Sequence, residues 1–436
     1  LFIGRDELLA TVEAVALATA GTPRRLRAAL DDPQRVALAT PDDRVHAGGL
    51  AVAGVESTGG SQRYVGGPHT PPMSDPRTHL GTFAKRDAET LRSVSGRWFG
   101  RPSLTARPDG TWVMVFRDAP GHRPSTDSSF RVAFSTDDGD TWTDDDTTPD
   151  GDAVEGFPHT RPDADVSDGT VKFHRGDLLF HVTEELEPFD DEETPRDRTR
   201  QLRSTDGGRS WTDEGILDPA GITSESLLLG QDDAVHPETG ALYEGVNFRG
   251  TDRSDPHKKS GVVRTDDGGR SWEYVGDVTD FEDRTGEIGL TFVGGTLLAV
   301  LRDTEADRTY LRRSEDGGET WGPLGDATDS LGVFQRVRPY TPGDIGSDAH
   351  HDEWLYAVGR HVVGDRPAIV ADRQFTAVAT SPDAGETWYG PFALDDYGDS
   401  AYCDVPARPD GDLYLVTYGG PDGTDADLLG YHLREA

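Results

Sequence analysis

Short apolar and β-branched runs separated by turn residues recur from about residue 100 to the C-terminus. Residues 101–106, 111–116 and 130–135 form one group of three such runs, and residues 288–293, 296–301 and 310–314 another. Each run has the length of a strand and is too short for an amphipathic helix, so both groups predict antiparallel strands. Residues 402–407, 413–417 and 428–433 form a third group at the end of the chain. The N-terminal part reads differently. Residues 6–20, DELLATVEAVALATA, are rich in Ala, Leu and Val, carry acids in the first turn and stop at Gly21-Thr22-Pro23, which predicts a short helix. A further helical turn or two is expected at 24–30, and residues 57–86, rich in Gly, Pro, Thr and His, read as a loop or crossing linker.

Between the predicted third and fourth strands of these groups the chain writes Ser/Thr-x-Asp-x-Gly-x-x-Trp five times. The copies are Ser135/Asp137/Gly139/Trp142, Ser204/Asp206/Gly208/Trp211, Thr265/Asp267/Gly269/Trp272, Ser314/Asp316/Gly318/Trp321 and Ser381/Asp383/Gly385/Trp388. Asp and Gly suit a tight turn that needs side-chain capping and positive φ, and the Trp is placed to pack back between neighbouring sheets. Recurrence at intervals of roughly 50 to 70 residues marks one supersecondary unit used repeatedly.

The repeat resembles the Asp-box motif, or BNR repeat, of the sialidase-like β-propellers, over about residues 95 to 436. The resemblance implies an all-β, six-bladed β-propeller of four-stranded antiparallel blades, with a short, partly helical N-terminal segment. Five boxes and one boxless C-terminal set account for the six blades. The last blade then needs a strand from early in the chain, residues 49–55 or 63–65, whose pairing would leave no open sheet edge. The expected division is a helical arm at 1–45, a linker with the ring-closing strand at 46–95, and the propeller at 96–436.

Charge narrows the setting. The chain has 80 acidic and 43 basic side chains, a net charge of −37, and its only lysines are Lys85, Lys172, Lys258 and Lys259. Self-repulsion of that size is relieved in molar salt, where the Debye length is about 3 Å, so a halophile or a halophile's virus is the expected source. Nucleic acid is excluded as a partner because its phosphates call for a basic stripe. Residues 1–50 hold six arginines against seven acids, so the acidity belongs to the rest of the chain, and the N-terminal arm suits either packing under the propeller or assembly into an oligomer. Cys403 stands alone, which leaves no disulfide framework. No apolar run has the roughly 18 to 20 residues of a membrane span, so membrane insertion is not expected. No signal sequence stands at the N-terminus, and Leu1 in place of Met leaves an upstream segment open.

Aligning the predicted second strands on the turns before them exposes candidate chemistry. Arg117, Arg302 and Arg360 each stand seven residues after a turn residue (Gly110, Gly295, Glu353), and Thr183 and Tyr418 hold the same place after Gly176 and Gly411. About 16 residues upstream, on the first strands, lie Arg101, Glu287 and Tyr402. Several guanidiniums converging on one concavity suit a carboxylate ligand. This set is similar to that of sialidases, whose resemblance implies Tyr402 as nucleophile, Glu287 as its activating base and Asp127 as acid/base. By the same resemblance Arg101, Arg302 and Arg360 hold the substrate carboxylate, with Arg373 in reserve and Arg117 or His122 near Asp127. Gly100-Arg101-Pro102 departs from the family's Arg-Ile-Pro order, a one-residue shift that in a regular strand would turn Arg101 to the other face. His350 and His351 lack the spacing of a metal site, so neither metal nor cofactor is expected. The function implied is recognition of an acidic glycan by a retaining exo-glycosidase of sialidase type. The alternative is a non-catalytic adhesin or virus receptor-binding protein, and either belongs outside the cell, on its surface or on a virion.

Overall fold

The computed structural model describes residues 56–58, 61–63, 83–85, 88–157, 160–186, 197–222, 226–249, 259–279, 285–303, 308–327, 331, 333–339, 355–362, 374–395, 399–404 and 413–435. The chain divides into Leu1–Val52, which lies outside the described residues together with the helix expected at 6–20, and Ala53–Ala436. Every element in the described part is a strand.

Strands β1 (Glu56–Thr58) and β2 (Ser61–Arg63) pair with each other, Glu56 opposite Arg63. Next come β3 (Phe83–Lys85), β4 (Glu89–Arg92), β5 (Trp98–Ala106), β6 (Trp112–Ala119) and β7 (Ser129–Ser135). One four-stranded sheet follows as β8 (Ala164–His174), β9 (Asp177–Leu186), β10 (Arg198–Ser204) and β11 (Thr212–Ile216), and a second as β12 (Ser226–Val235), β13 (Leu242–Arg249), β14 (Lys259–Thr265) and β15 (Glu273–Asp277). The third is β16 (Thr285–Val293), β17 (Thr296–Asp303), β18 (Arg308–Ser314) and β19 (Gly325–Asp326). The fourth is β20 (Val333–Pro339), β21 (Leu355–Val362), β22 (Gln374–Ser381) and β23 (Tyr389–Ala393). Finally β24 (Asp399–Asp404), β25 (Leu413–Asp422) and β26 (Asp425–Glu435) join β5, β6 and β7 in one eight-stranded sheet that also takes in β3 and β4.

The propeller therefore has five blades, which corrects the expectation of six. The first and last sets merge because β26 pairs with β25 on one side and with β3 and β4 on the other, while a parallel bridge from Ala426 to Trp98 links it to β5. The strands that cover β26 come from 83–92 and not from 49–55 or 63–65. Residues 49–55 lie outside the described residues, and Arg63 is paired within β2. Residues 57–86, read as a loop, contain β2, β3 and part of β1.

The Asp boxes close the hairpins as their residue types require. In the first, Ser135 Oγ donates to Asp137 Oδ1 at 2.8 Å and accepts from Gly139 N at 2.9 Å, while Thr141 N donates to the same carboxylate at 2.8 Å. The hydroxyl-to-glycine bond recurs in the other four boxes at 2.7 to 2.9 Å. Trp211 then packs into the apolar seam between β6–β7 and β8–β10, with Phe130, Phe157 and Phe180. Gly269 has φ +79, and a Cβ there would lie 2.7 Å from Leu179 Cδ1. Gly269→Ala is expected to cost about 2 to 3 kcal/mol in urea denaturation, and a loss under about 0.5 kcal/mol would show that the turn adapts freely.

One feature of the strands positions the site. The pairing of β5 with β6 shifts register between Gly100 and Ser103, β8 with β9 between Val166 and Gly169, and β12 with β13 between Leu229 and Asp233. β16, β20 and β24 shift likewise, between Thr285 and Glu287, Phe334 and Arg336, and Ala401 and Asp404. These bulged strands are neighbours of one another, β5 beside β8, β12 beside β16, β20 beside β24 and β24 beside β5. A bulge re-aims side chains that a regular strand would send to alternate faces.

Candidate active site

Tyr402 and Glu287 meet. The Tyr402 hydroxyl donates to Glu287 Oε1 at 2.8 Å, and Arg302 Nη1 donates to Glu287 Oε2 at 2.9 Å. Glu287 and Arg302 face each other across β16 and β17, so sheet pairing itself sets this contact. Tyr402 lies in the β24 bulge with φ +51, a conformation costly for a non-glycine residue and found where surrounding structure enforces it.

Arg101 is the counterpart on β5, inside the bulge, with φ +50. That distortion answers the one-residue shift noted in its sequence, since Arg101 is turned to the Tyr402 side after all. Its guanidinium carbon lies 4.9 Å from the Tyr402 ring centroid, and Nη1 pairs with Asp168 Oδ1 at 2.5 Å. Arg360, 3% exposed, approaches the same ring at 6.0 Å and donates through Nε to Ser400 O at 3.0 Å. Arg101 Nε and Arg360 Nη2 are buried and make no hydrogen bond among the described residues. Tyr418 stacks on Tyr402 at 6.4 Å, and His122 stands edge-on to it at 6.5 Å.

Among the described residues, the guanidiniums of Arg101, Arg302 and Arg360 thus lie around Tyr402 with the carboxylates of Glu287 and Asp168. Burial alone would raise the Glu287 pKa, but the charge and hydrogen bond of Arg302, the Tyr402 hydroxyl and the charge of Arg360 hold it at about 2. Burial, reinforced by Glu287, pushes the Tyr402 phenol above its ordinary value. Burial also works against the charge of Arg101, yet Asp168, then Tyr402 and Tyr418, raise its pKa on balance.

The remaining expected residues lie elsewhere. Arg117 is fully buried and committed within the fold: Nε donates to Val166 O at 2.8 Å, Nη1 to Gly121 O at 2.9 Å, and Nη2 to Asp165 Oδ1 at 2.6 Å and Arg123 O at 3.5 Å. Burial lowers its pKa, with Asp165 opposing. Asp127 is 78% exposed and its carboxylate is turned to Arg97 Nη1 at 3.1 Å. Arg373, His350 and His351 lie outside the described residues. The residue that the sequence did not single out is Asp168. Its signal is the Asp168-Gly169 pair in the middle of β8, where an interior glycine marks a bulge.

Fold and site together define an all-β propeller with a hydrogen-bonded tyrosine–glutamate–arginine cluster on its inner strands. The chain belongs to the BNR repeat-like domain family, whose model matches residues 170–415, more than half of the 436-residue chain. No curated protein matches it. Among solved structures it is similar to a Dyadobacter fermentans protein of unknown function, with 19% identity, a TM-score of 0.61, and coverage of 81% of this chain and 99% of that one. A Hadza microbial sialidase gives 16%, 0.61, 82% and 74%, and Trypanosoma rangeli sialidase 16%, 0.58, 77% and 55%, so this chain spans about half of the trypanosomal protein. At such identities the likeness carries the fold.

Proposed function

We propose that the protein is a retaining exo-glycosidase acting on a terminal acidic sugar. The observation that carries this is the 2.8 Å bond from the Tyr402 hydroxyl to Glu287, set beneath three guanidiniums. A phenol is a weak nucleophile until a base takes its proton, and a carboxylate within hydrogen-bond reach is that base. Arg101, Arg302 and Arg360 hold the sugar's carboxylate. The Tyr402 oxygen attacks the anomeric carbon as its proton passes to Glu287 Oε1 and the aglycone oxygen departs with the bonding electrons. Water then displaces Tyr402, Glu287 returns its proton to the released phenolate oxygen, and the proton that the water gives up ends on the departed aglycone oxygen. The fold shared with two sialidases supports this reading.

One observation favours a second reading, a glycan-binding module without turnover. Asp127, the carboxylate expected to act as acid/base, is exposed and pairs with Arg97 Nη1 at 3.1 Å. The test is an α-linked sialoside in high salt, followed both for free sugar by NMR and for binding by calorimetry. Release with retained anomeric configuration supports the glycosidase, binding without release supports the module, and absence of both overturns the acidic-sugar site. Arg360→Met is expected to weaken binding about 10- to 100-fold, the size of a lost charge-assisted contact.

A further inference from the structure

The glycosidase reading needs a group that gives a proton to the departing oxygen, and Asp127 is turned away to Arg97 in an exposed position. His122 is not. Its ring stacks on Trp98 at 4.9 Å and 21°, and it meets the Tyr402 ring edge-on at 6.5 Å and the Tyr418 ring at 6.3 Å. Its backbone is anchored from both directions. His122 N donates to Gly423 O at 2.7 Å, and the carbonyls on either side of it, Gly121 O and Arg123 O, accept from the buried Arg117 guanidinium. Gly121 fits this approach because a Cβ there would lie 2.9 Å from Gly423 O. Arg117, expected to hold substrate, instead clamps the loop that presents an imidazole to the nucleophile's ring.

We propose that His122 is the acid/base residue of the reaction, which rests on the glycosidase reading above. In the first step the imidazolium gives its proton to the glycosidic oxygen as that oxygen leaves the anomeric carbon with the bonding pair and Tyr402 bonds to the carbon. In the second, neutral His122 takes a proton from the water whose oxygen displaces Tyr402. Imidazole is suited to both roles near neutral pH, and a positioned acid of this kind contributes about 10²- to 10⁴-fold. Among the described residues, Tyr402 on β24 and Tyr418 on β25 are titratable groups that face the ring, and the charged Arg117 lies 5.4 Å from the Trp98 ring on which His122 stacks.

The experiment compares the parent, His122→Phe and Asp127→Asn on an alkyl sialoside and on a 4-nitrophenyl sialoside, whose leaving group needs little protonation. His122→Phe keeps the stack on Trp98, and His122→Gln gives the same readout if the Phe variant does not fold. The alkyl kcat/KM of the His122 variant is expected to fall about 100-fold or more and the aryl kcat/KM less than about threefold, since kcat/KM reports the first step alone. The basic-side fall in the parent's kcat/KM profile on the alkyl substrate is expected to vanish with it. Equal losses on both substrates, no loss, or a leaving-group-dependent loss in Asp127→Asn instead would overturn the assignment while leaving the glycosidase intact. A parent that releases sugar from neither substrate overturns the glycosidase reading, and this assignment with it.

Discussion

Tyr402→Phe is expected to lower sugar release by about 10³-fold or more, roughly 4 kcal/mol of transition-state stabilisation, while affinity for the sugar stays within about threefold. The asymmetry follows from what the substitution keeps. Phenylalanine preserves the ring that Arg101 and Arg360 approach and that Tyr418 stacks on, so the guanidiniums that receive the carboxylate stay in place. Only the oxygen is lost, and with it both the attacking atom and the donor to Glu287 Oε1. Initial rates and calorimetry on the same preparation separate the two effects. An affinity loss as large as the rate loss would show that Tyr402 only holds ligand.

Arg302→Met is expected to destabilise the fold by about 2 to 3 kcal/mol at neutral pH, because it strands the partly buried Glu287 carboxylate. The parent carries a matching signature in acid. Glu287 is held at about 2 in the folded protein against an ordinary value of 4.5, so its contribution is fully present above about pH 4.5 and is lost as pH falls toward 2. The sign is that of a depressed carboxylate: the unfolded chain binds the proton first. The shift corresponds to about 3 kcal/mol. Glu244 behaves alike, since Lys172 and His181 overcome its burial and hold it at about 2. Urea denaturation of the parent between pH 6 and 3 should therefore slope steeply, and Arg302→Met should flatten the part due to Glu287. A parent whose stability does not change over that range would rule out the account.

The boxes made the propeller legible because each writes a whole turn into one local stretch, where hydroxyl, carboxylate and glycine bond within a few residues. The meeting of Tyr402, Glu287 and Arg302 was legible for a related reason. Glu287 and Arg302 are cross-strand partners in a single hairpin, and the repeat carries that register over to Tyr402 and Arg101. Local information failed where partners are distant in sequence. The strands that cover β26 are FAK and ETLR, charged edge segments with few apolar residues, which earn their place only by pairing with the far end of the chain. The same holds for Arg117, which looks like a rim arginine until Asp165 and Val166 of the next sheet are seen to hold it. Asp127 has the right residue type but depends on loop geometry, and the loop turns its carboxylate to Arg97.

The register shifts along the inner strands have a consequence for how such a protein changes over time. The irregularity is absorbed within two or three residues of the pairing, and the register resumes beyond it. Inserting or deleting one residue there would exchange the side chain offered to the centre without unpicking the seams between sheets. The scaffold and the side chains it offers to the centre are thus separately editable, and a lineage can change what the centre presents by slipping a single position.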